Sequence, residues 1–348
     1  MPAYTFLDPD RVEFSDPLSA DDLSRLVAYP KIRVLQCSRP VKESTWRLLN
    51  SEFFPVRPDV QLRLYGFYGE VCDLSFVTRM VNVRHFAAEC LLNAIGVEHV
   101  AEMPDLQSLD IGIYNLDSFD FLWHTSPALT GLLLAATRSK KPDLLPLTRF
   151  KKLNRLYLEG QQKNIGVLAD LVELEDITLR SISTPDLGYL RGLPRLWSLD
   201  IKLGGISSLS ALEGMPGIKY LELWNIRGLS DIGVISHLPG LQNLFLQSLP
   251  LITAIPSLRE SRQLKRVLLQ NLKGLEDLSE LQWAPALEEF ILLQGGSQQV
   301  DDLLPLLSNP SLRRATAYFG SVKKNEKFAQ LQAARCIEKY EFTPFQYA

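Results

Sequence analysis

The sequence predicts one α/β solenoid, a stack of similar units in which short parallel strands alternate with tight turns. Two observations predict it. A triplet of apolar residues recurs about every 23 residues, and the segments between triplets carry apolar residues three positions apart. The stretches "PGIKYLELWNI" at 216–226 and "PGLQNLFLQSL" at 239–249 show the repeat most clearly.

Each triplet has an apolar anchor followed by apolar residues three and five positions later. With Ile218 as the anchor, these are Leu221 and Leu223. Two residues is the side-chain period of a β-strand, so Leu221 and Leu223 point to one face and stacked units join them into one core. The other anchors from residue 83 onward are Val83, Leu106, Leu129, Leu153, Leu174, Leu196, Leu241, Leu264, Leu287 and Leu312.

The segments that return from one strand to the next have a period of three. After Leu223 the apolar residues are Ile226, Leu229, Ile232, Ile235 and Leu238. This spacing is typical of a 3₁₀ turn or a tight helix with one buried side. Proline, as in "HLPG", closes the turn before the next strand.

The first units are irregular. Val12 and Phe14 predict a strand, and "SADDLSRLVAY" predicts a short helix with Ser19 as its N-cap. A fainter triplet begins at Ile32. Around 58–67 the apolar residues fall at 60, 62 and 64, which indicates a slipped or irregular unit.

The last triplet is expected at Ile337, Tyr340 and Phe342. We therefore divide the chain into an N-terminal cap unit with a short helix at 1–31, repeats at 32–311, and the last repeat with a C-terminal cap at 312–348. The caps are expected to cover the open ends of the core.

The L-x-x-L-x-L pattern in short units of mostly 22–24 residues resembles the leucine-rich repeat family. By repeat length the nearest types are the intracellular and internalin-like ones, and the sequence assigns no subfamily. The resemblance implies a curved solenoid with a parallel sheet on its concave side and 3₁₀ or short helical turns on its convex side. One departure is that polar residues after the strand occur only sporadically, as at Asn225 and Asn271, and one residue early.

Composition argues against several functional classes. The net charge of −3 over 348 residues gives no basic field for nucleic acid, and no apolar run is long enough to span a membrane. The first residues lack a secretory signal, and the four cysteines form no CxxC pair. We expect a cytoplasmic protein with reduced thiols and neither nucleic-acid nor membrane partners.

No motif for catalysis, metal binding or cofactor binding is present, so no enzyme activity, metal or cofactor is expected. The histidines are scattered, and acid pairs such as Asp301-Asp302 are explained by turn or helix starts. The basic clusters "RSKKPD" at 138–143 and "SVKKNEK" at 321–327 are interpreted as solvated loops.

Residues two, four and six positions after each anchor should point outward, onto the concave face. There the sequence places a patch of large apolar residues fringed by charges, which is typical of protein interfaces. Two alternatives remain: strands favour such residues anyway, and the C-terminal segment could fold back over part of the patch. The predicted partner-binding residues are Tyr157, Asp200, Lys202, Tyr220, Glu222, Trp224, Phe245, Arg266, Leu268, Ile291 and Leu293.

The resemblance implies recognition rather than catalysis. The predicted function is a non-enzymatic scaffold or regulator that binds a protein partner on its concave face. The alternative is a receptor for a glycan or small ligand on the same aromatic strip, and an enzyme built from distant repeats comes third. The sequence does not indicate the partner's identity or the oligomeric state.

Overall fold

The computed structural model describes residues 3–139 and 142–348, and the chain divides into two compact units, Met1–Leu174 and Glu175–Ala348. Strand order in the sheet of each unit follows the order of the chain. Neighbouring strands are parallel except at the N-terminus, where β1 and β2 form an antiparallel pair. None of the helices in the described residues is long and apolar enough to cross a membrane.

The described residues of the first unit contain ten strands. β5 and β7 form a separate two-stranded sheet, and the other eight form the main sheet of this unit. The strands are β1 Tyr4–Asp8, β2 Arg11–Phe14, β3 Val34–Cys37, β4 Gln61–Tyr65, β5 Cys72–Asp73, β6 His85–Leu91, β7 Ala94–Ile95, β8 Ser108–Ile113, β9 Gly131–Leu134 and β10 Arg155–Glu159.

Helices and 3₁₀ turns connect these strands. Helix α1 (Ala20–Val27) is the predicted N-terminal helix, and Ser19 is its N-cap: the Ser19 hydroxyl accepts a bond from the Asp22 amide, and the Asp22 carboxylate accepts one from the Ser19 amide. Helix α2 (Glu43–Leu48) continues into a π-helical turn at Leu49–Phe53. The 3₁₀ turns are Ser75–Arg79, Val97–Glu102, Asp120–Trp123, Leu145–Arg149 and Ile165–Asp170.

Of the two alternatives predicted around 58–67, a slipped or an irregular unit, the structure shows the second, because the strand at 61–65 is not slipped. In β4, Leu62 pairs with Leu35 of β3 and Leu64 pairs with Cys37, in the register of the other units. The irregularity lies in the return segment, because α2 and the π-helical turn replace a single 3₁₀ turn. The extra residues are therefore taken up before the strand begins.

The second unit contains eight strands, all parallel to their neighbours. From β11 to β16 each strand pairs with the next in one constant register. The strands are β11 Asp176–Arg180, β12 Ser198–Lys202, β13 Tyr220–Trp224, β14 Asn243–Gln247, β15 Arg266–Gln270, β16 Glu289–Leu293, β17 Arg314–Ala317 and β18 Glu338–Lys339.

The return segments of the second unit are the predicted short turns. Helix α3 (Leu304–Leu307) and helix α4 (Val322–Ala333) follow the last 3₁₀ turns. The 3₁₀ turns are Gly188–Leu190, Ser210–Leu212, Gly233–His237, Ser279–Trp283 and Asp301–Leu303.

The triplets and the residues three apart form the core, as predicted. Leu221 and Leu223 are fully buried, and so are their register partners in β12 and β14. The return residues Ile226, Leu229 and Ile235 are buried beside them. At about 25 cal/mol per Å² of apolar area removed from water, these rows supply most of the driving force for folding.

A left-handed residue ends most strands. The position seven residues after the anchor has a φ of 50° to 55° in seven units and is glycine with a φ of 86° in another. Asparagine and glycine tolerate this conformation best, which explains why Asn225 and Asn271 come one residue earlier than the family pattern. The residues are Cys90, Gly160, Ser181, Leu203, Asn225, Ser248, Asn271 and Gln294.

The last triplet was placed one residue too late. Strand β18 pairs Glu338 with Arg314, so residue 336 rather than Ile337 takes the anchor position. Ile337 is buried, but Tyr340 is only partly buried and Phe342 is 86% exposed. The strand ends after two residues because the chain leaves the stack there.

The cluster at 321–327 is not a loop. It forms the start of α4, with Ser321 as the N-cap. Two of its lysines bind residues of the preceding repeat. Lys324 donates to the carbonyl of Gln298 at 2.9 Å, and Lys327 pairs with Asp301 at 2.7 Å. In the cluster at 138–143, Lys140 and Lys141 lie outside the described residues.

Candidate partner-binding face

The outer face of the second unit carries the side chains two, four and six positions after each anchor. Because the register is constant, each position forms a row across the strands. The fourth-position row contains Asp200, Glu222, Phe245, Leu268 and Ile291 in consecutive strands, and the sixth-position row contains Lys202, Trp224, Gln247, Gln270 and Leu293.

Ten of the eleven predicted binding residues lie on this outer face. Tyr157 does not, because it belongs to β10 of the first unit. Its hydroxyl donates to the carboxylate of Glu159 at 3.3 Å.

Four large apolar side chains on the outer face remain partly exposed, and we call them the apolar patch: Trp224, Phe245, Leu268 and Leu293. Phe245 and Leu268 are direct register partners, whereas Gln247 and Gln270 separate Trp224 from Leu293 in their row. Ile291, which the sequence also predicts as a binding residue, is only 3% exposed. The patch is therefore smaller than predicted and is interrupted by two amides.

A network of paired charges borders the patch. The ammonium of Lys202 lies 2.5 Å from the Asp200 carboxylate and 3.3 Å from that of Glu222. The hydroxyl of Tyr220 donates to Glu222 at 2.6 Å. Trp224 lies beside this network, with the charged groups of Lys202 and Arg180 each 5.8 Å from the centre of its ring. This geometry favours cation–π attraction, which holds the indole in place.

Burial shifts the protonation equilibria of this network. It raises the pKa of the Asp200 carboxyl to about 6, and the nearby Glu222 charge adds to the rise while Lys202 opposes it. Burial lowers the pKa of Lys202, but the bonds and charges of Asp200 and Glu222 more than offset it, so that the pKa is raised. Burial and the bond to Glu222 raise the pKa of Tyr220. One oxygen of Asp200 is buried without a hydrogen-bond partner.

Arg266 is the centre of a second buried charge cluster. Its guanidinium lies 2.5 Å from the Glu289 carboxylate, which also pairs with Arg314. Both Arg266 and Glu289 are buried, so the loss of either side chain would leave the other as an unpaired buried charge, which is strongly destabilising. The outer face of Arg266 is covered by two aromatic rings, Tyr340 at 5.2 Å and Phe345 at 5.0 Å from the guanidinium carbon.

These rings belong to residues 340–348, which we call the tail. The tail crosses the outer face along the second-position row, from Arg266 back towards β12. The ring of Tyr347 packs 5.0 Å from Trp197 and 6.3 Å from Tyr220, and its hydroxyl accepts a bond from the side chain of Asn243 at 3.1 Å. Burial raises the pKa of Tyr347.

The backbone of the tail is held by side chains of the sheet. The carbonyl of Thr343 accepts a bond from Arg266 at 3.2 Å. The amide of Ala348 donates to Gln242 at 3.0 Å, and its oxygen accepts from Lys219 at 2.5 Å. The alternative reading of the sequence, in which the C-terminal segment covers part of the face, is therefore correct.

Besides Ile291, three of the predicted binding residues on the outer face are buried. Asp200, Glu222 and Arg266 are each less than 10% exposed. Ion pairs between neighbouring rows bury the two carboxylates, and Arg266 lies between Glu289 and the tail. The sequence reasoning missed four residues that hold the tail and the two aromatic residues of the tail that they face: Trp197, Lys219, Gln242 and Asn243, and Phe345 and Tyr347. The aromatic run "FTPFQY" at 342–347 was the available signal.

Within residues 3–139 and 142–348, no group of three or more histidine, cysteine, aspartate or glutamate side chains could hold a metal ion. Arg266, a buried cation of the outer face, is engaged by Glu289 and the tail. The arrangement therefore offers contact surface and fixed charges.

The solved structures most similar to this chain in shape share one fold class. An internalin (inlF) from Listeria monocytogenes matches with a TM-score of 0.58 and 20% identity, over 86% of this chain and 88% of that chain. A TLR13–ssRNA13 complex matches with a TM-score of 0.56 and 17% identity, over 88% of this chain and 50% of that chain. A mouse RP105/MD-1 complex matches with a TM-score of 0.56 and 14% identity, over 95% and 71%.

No protein-family model matches the sequence, and no curated protein is significantly similar to it. The repeated triplet, the parallel register and the internalin match agree on one fold. The chain has the leucine-rich repeat solenoid fold, with strands on one side and short 3₁₀ turns on the return side. Identities of 20% and below extend this likeness to the fold alone.

Proposed function

We propose that the protein is a non-enzymatic scaffold that binds a protein partner through the apolar patch on the outer face of its second unit. The observation that carries this proposal is the partial exposure of four large apolar side chains on four successive strands, β13 to β16: Trp224, Phe245, Leu268 and Leu293. Large apolar side chains at the centre of a polar surround are typical of interface hot spots, where one truncation costs about 2 kcal/mol or more.

The charges around the patch favour binding because they are already ordered. Lys202 is fixed by Asp200 and Glu222, and it helps to fix Trp224. A partner that docks here would not have to order these long side chains, which otherwise costs about 0.5–1.5 kcal/mol for each.

A protein is favoured over a nucleic acid as the partner. The TLR13 neighbour is in complex with ssRNA13 and the RP105 neighbour with MD-1, so this fold serves both kinds of recognition in those proteins. Here the charges beside Trp224 are two carboxylates and two cations, Lys202 and Arg180, and the chain has a net charge of −3. Such a surface offers no net positive charge to attract phosphate groups.

We place this binding in the cytoplasm. The free thiols of Cys90 and Cys336 are exposed, and Cys37 and Cys72 are unpaired as well. Unpaired exposed cysteines are typical of a reducing compartment.

The test is affinity capture from the native cell lysate with three forms of the chain. These are the wild type, the Trp224→Ala/Phe245→Ala variant and a control, Trp283→Ala, which removes an exposed tryptophan from the 3₁₀ turn on the return side. We expect a protein that the wild type and the control retain and the double variant loses. Equal capture by all three forms would exclude the patch.

The same variants address the alternative, a glycan or small-molecule receptor. A protein footprint should cover about 800 Å² on each side and several strands, whereas a sugar needs two or three strands. Glycan binding that the double variant loses, without any captured protein, would favour the receptor.

A further inference from the structure

The amide of Tyr340, the first residue of the tail, still donates to the carbonyl of Ala315 in β17, and from residue 341 onward the tail lies on the outer face as an extended peptide outside the sheet. Residues 341–348 have no regular secondary structure, and within them Phe345 and Tyr347 face the sheet while Gln346 between them is exposed. Phe342 points to solvent. Two aromatic anchors separated by one residue therefore hold the segment.

The surface beneath the tail consists of Trp197, Tyr220, Asn243 and Arg266, and we call it the seat. Trp197 and Tyr220 form an aromatic site for the Tyr347 ring, and Asn243 satisfies its hydroxyl. Arg266 stacks on Phe345 and donates to the main chain at Thr343. Aromatic packing combined with donors to main-chain carbonyls is a recurring way to bind an extended peptide.

We propose that this seat recognises an extended aromatic–x–aromatic segment of the protein partner, and that the tail is its intramolecular competitor. The inference rests on the proposed function, because the seat and the apolar patch lie on the same strands. Tyr220 of the seat is four residues from Trp224 of the patch, and Asn243 is two residues from Phe245. One partner can therefore contact both.

The seat persists when the tail leaves, because its polar groups are held by the sheet. Glu289 fixes Arg266, and Glu222 fixes Tyr220. From residue 341 onward the contacts of the tail use side chains of β13 to β15 and of the residues just before β12, β13 and β14 rather than the backbone ladder. Exchange of one segment for another would leave the strand pairing intact.

Because the tail occupies the seat, a partner must bind tightly enough to displace it. A tethered segment competes at an effective concentration in the millimolar range. A free peptide with the same contacts is therefore excluded at micromolar concentration, whereas a partner that also covers the apolar patch has additional contacts to displace the tail. The charge of the tail supports a weakly charged partner segment, since Glu341 is the only charged residue in 340–348.

The experiment measures binding of a fluorescein-labelled peptide with the sequence of residues 341–348, "EFTPFQYA", by fluorescence anisotropy. The full-length proteins are the wild type, the Phe345→Ala/Tyr347→Ala variant, and the control Phe342→Ala, which changes an exposed tail residue. We expect the double variant to bind the peptide at least about tenfold more tightly than the other two, because its own tail no longer competes.

A second peptide with alanine at both aromatic positions should bind the double variant at least about tenfold more weakly than the first. Equal binding of the two peptides, or binding by the double variant no tighter than by the wild type, would overturn the proposal. Far-ultraviolet circular dichroism verifies the fold, and Tyr347→Ala alone repeats the test if the double variant is not folded. The assay contains no partner, so its failure would leave the apolar patch and the capture experiment unaffected.

Discussion

The side-chain amide of Asn243 donates a 3.1 Å hydrogen bond to the hydroxyl of Tyr347, a residue 104 positions further along the chain. This bond, with the packing of Tyr347 on Trp197, joins the end of the tail to the middle of the second unit. The outer face is thus divided lengthwise: the tail covers the second-position row, and the apolar patch remains available at the fourth and sixth positions.

Replacing Tyr347 should release the end of the tail without unfolding the chain. Each aromatic pair contributes about 0.5–1.5 kcal/mol beyond its burial, and the Tyr347→Ala variant loses its packing on Trp197, Tyr220 and Phe345. We expect faster amide hydrogen exchange at 341–348 and an altered fluorescence emission of Trp197. In the Phe342→Ala control both should stay as in the wild type. Slow exchange in Tyr347→Ala would show that the tail is held elsewhere.

The carboxyl of Asp200 should make stability depend on pH. Its pKa is about 6 in the folded chain against 3.8 without the fold, so the folded state keeps the proton longer. The free energy of unfolding therefore falls as pH rises from about 4 to 6. Asp200→Asn removes this loss, and its stability relative to the wild type should increase by about 1–3 kcal/mol between pH 4 and pH 7.

Urea unfolding at each pH measures this difference, with Asp277→Asn as the control. The bond from Ser279 lowers the pKa of Asp277, so its contribution is already present above pH 4 and is lost only as pH falls further. The relative stability of Asp277→Asn should change little between pH 5 and pH 7. Parallel curves for Asp200→Asn and the wild type would contradict the assigned burial.

Replacement of glycine by alanine should have different effects on stability at the left-handed position after a strand, Gly160, and at an ordinary turn position, Gly166. Gly160 has a φ of 86°, and an added Cβ would meet only the Cβ of Ala136 at 3.9 Å. Gly160→Ala should therefore lower the free energy of unfolding by about 1 kcal/mol through backbone strain alone. Gly166 lies in open space in a 3₁₀ turn without a positive φ, so Gly166→Ala should be neutral or slightly stabilising. Thermal unfolding of both variants checks this.

The same substitution at two leucines separates core from surface. Leu244 is fully buried in the triplet of β14, whereas Leu251 in the following turn is 51% exposed. Leu244→Ala should cost about 2–5 kcal/mol because it leaves a cavity in the row. Leu251→Ala should change the free energy of unfolding by about 0.5 kcal/mol or less. A cost below about 1 kcal/mol at Leu244 would argue against a continuous packed core.

The stack of repeats could be predicted because each repeat contains the same triplet of apolar residues. Leu221 and Leu223 recur in every neighbour at nearly constant spacing, and a constant spacing implies a constant register. Where the pattern is short, prediction failed by one residue, as at Ile337, because a two-residue strand gives no periodicity to read.

The candidate site was less predictable. Alternation placed Trp224 and Phe245 on the outer face correctly, but it says nothing about what else lies there. The burial of Arg266 depends on Glu289, 23 positions away, and on Thr343, 77 positions away. Contacts between distant parts of the chain leave no local signal.

The length of the tail sets how far it reaches across the sheet. It starts at β18 and its last aromatic ring reaches Tyr220 of β13, and the distance between strands is about 4.8 Å. If one whole period, such as residues 219–241, were deleted, the strands on either side would still match in register. The Tyr347 ring would still meet Asn243, but Ser198 of β12 would take the place of Tyr220 beside it. The tail spans a fixed number of strands. A change in repeat number would therefore alter which side chains it covers and which it leaves accessible.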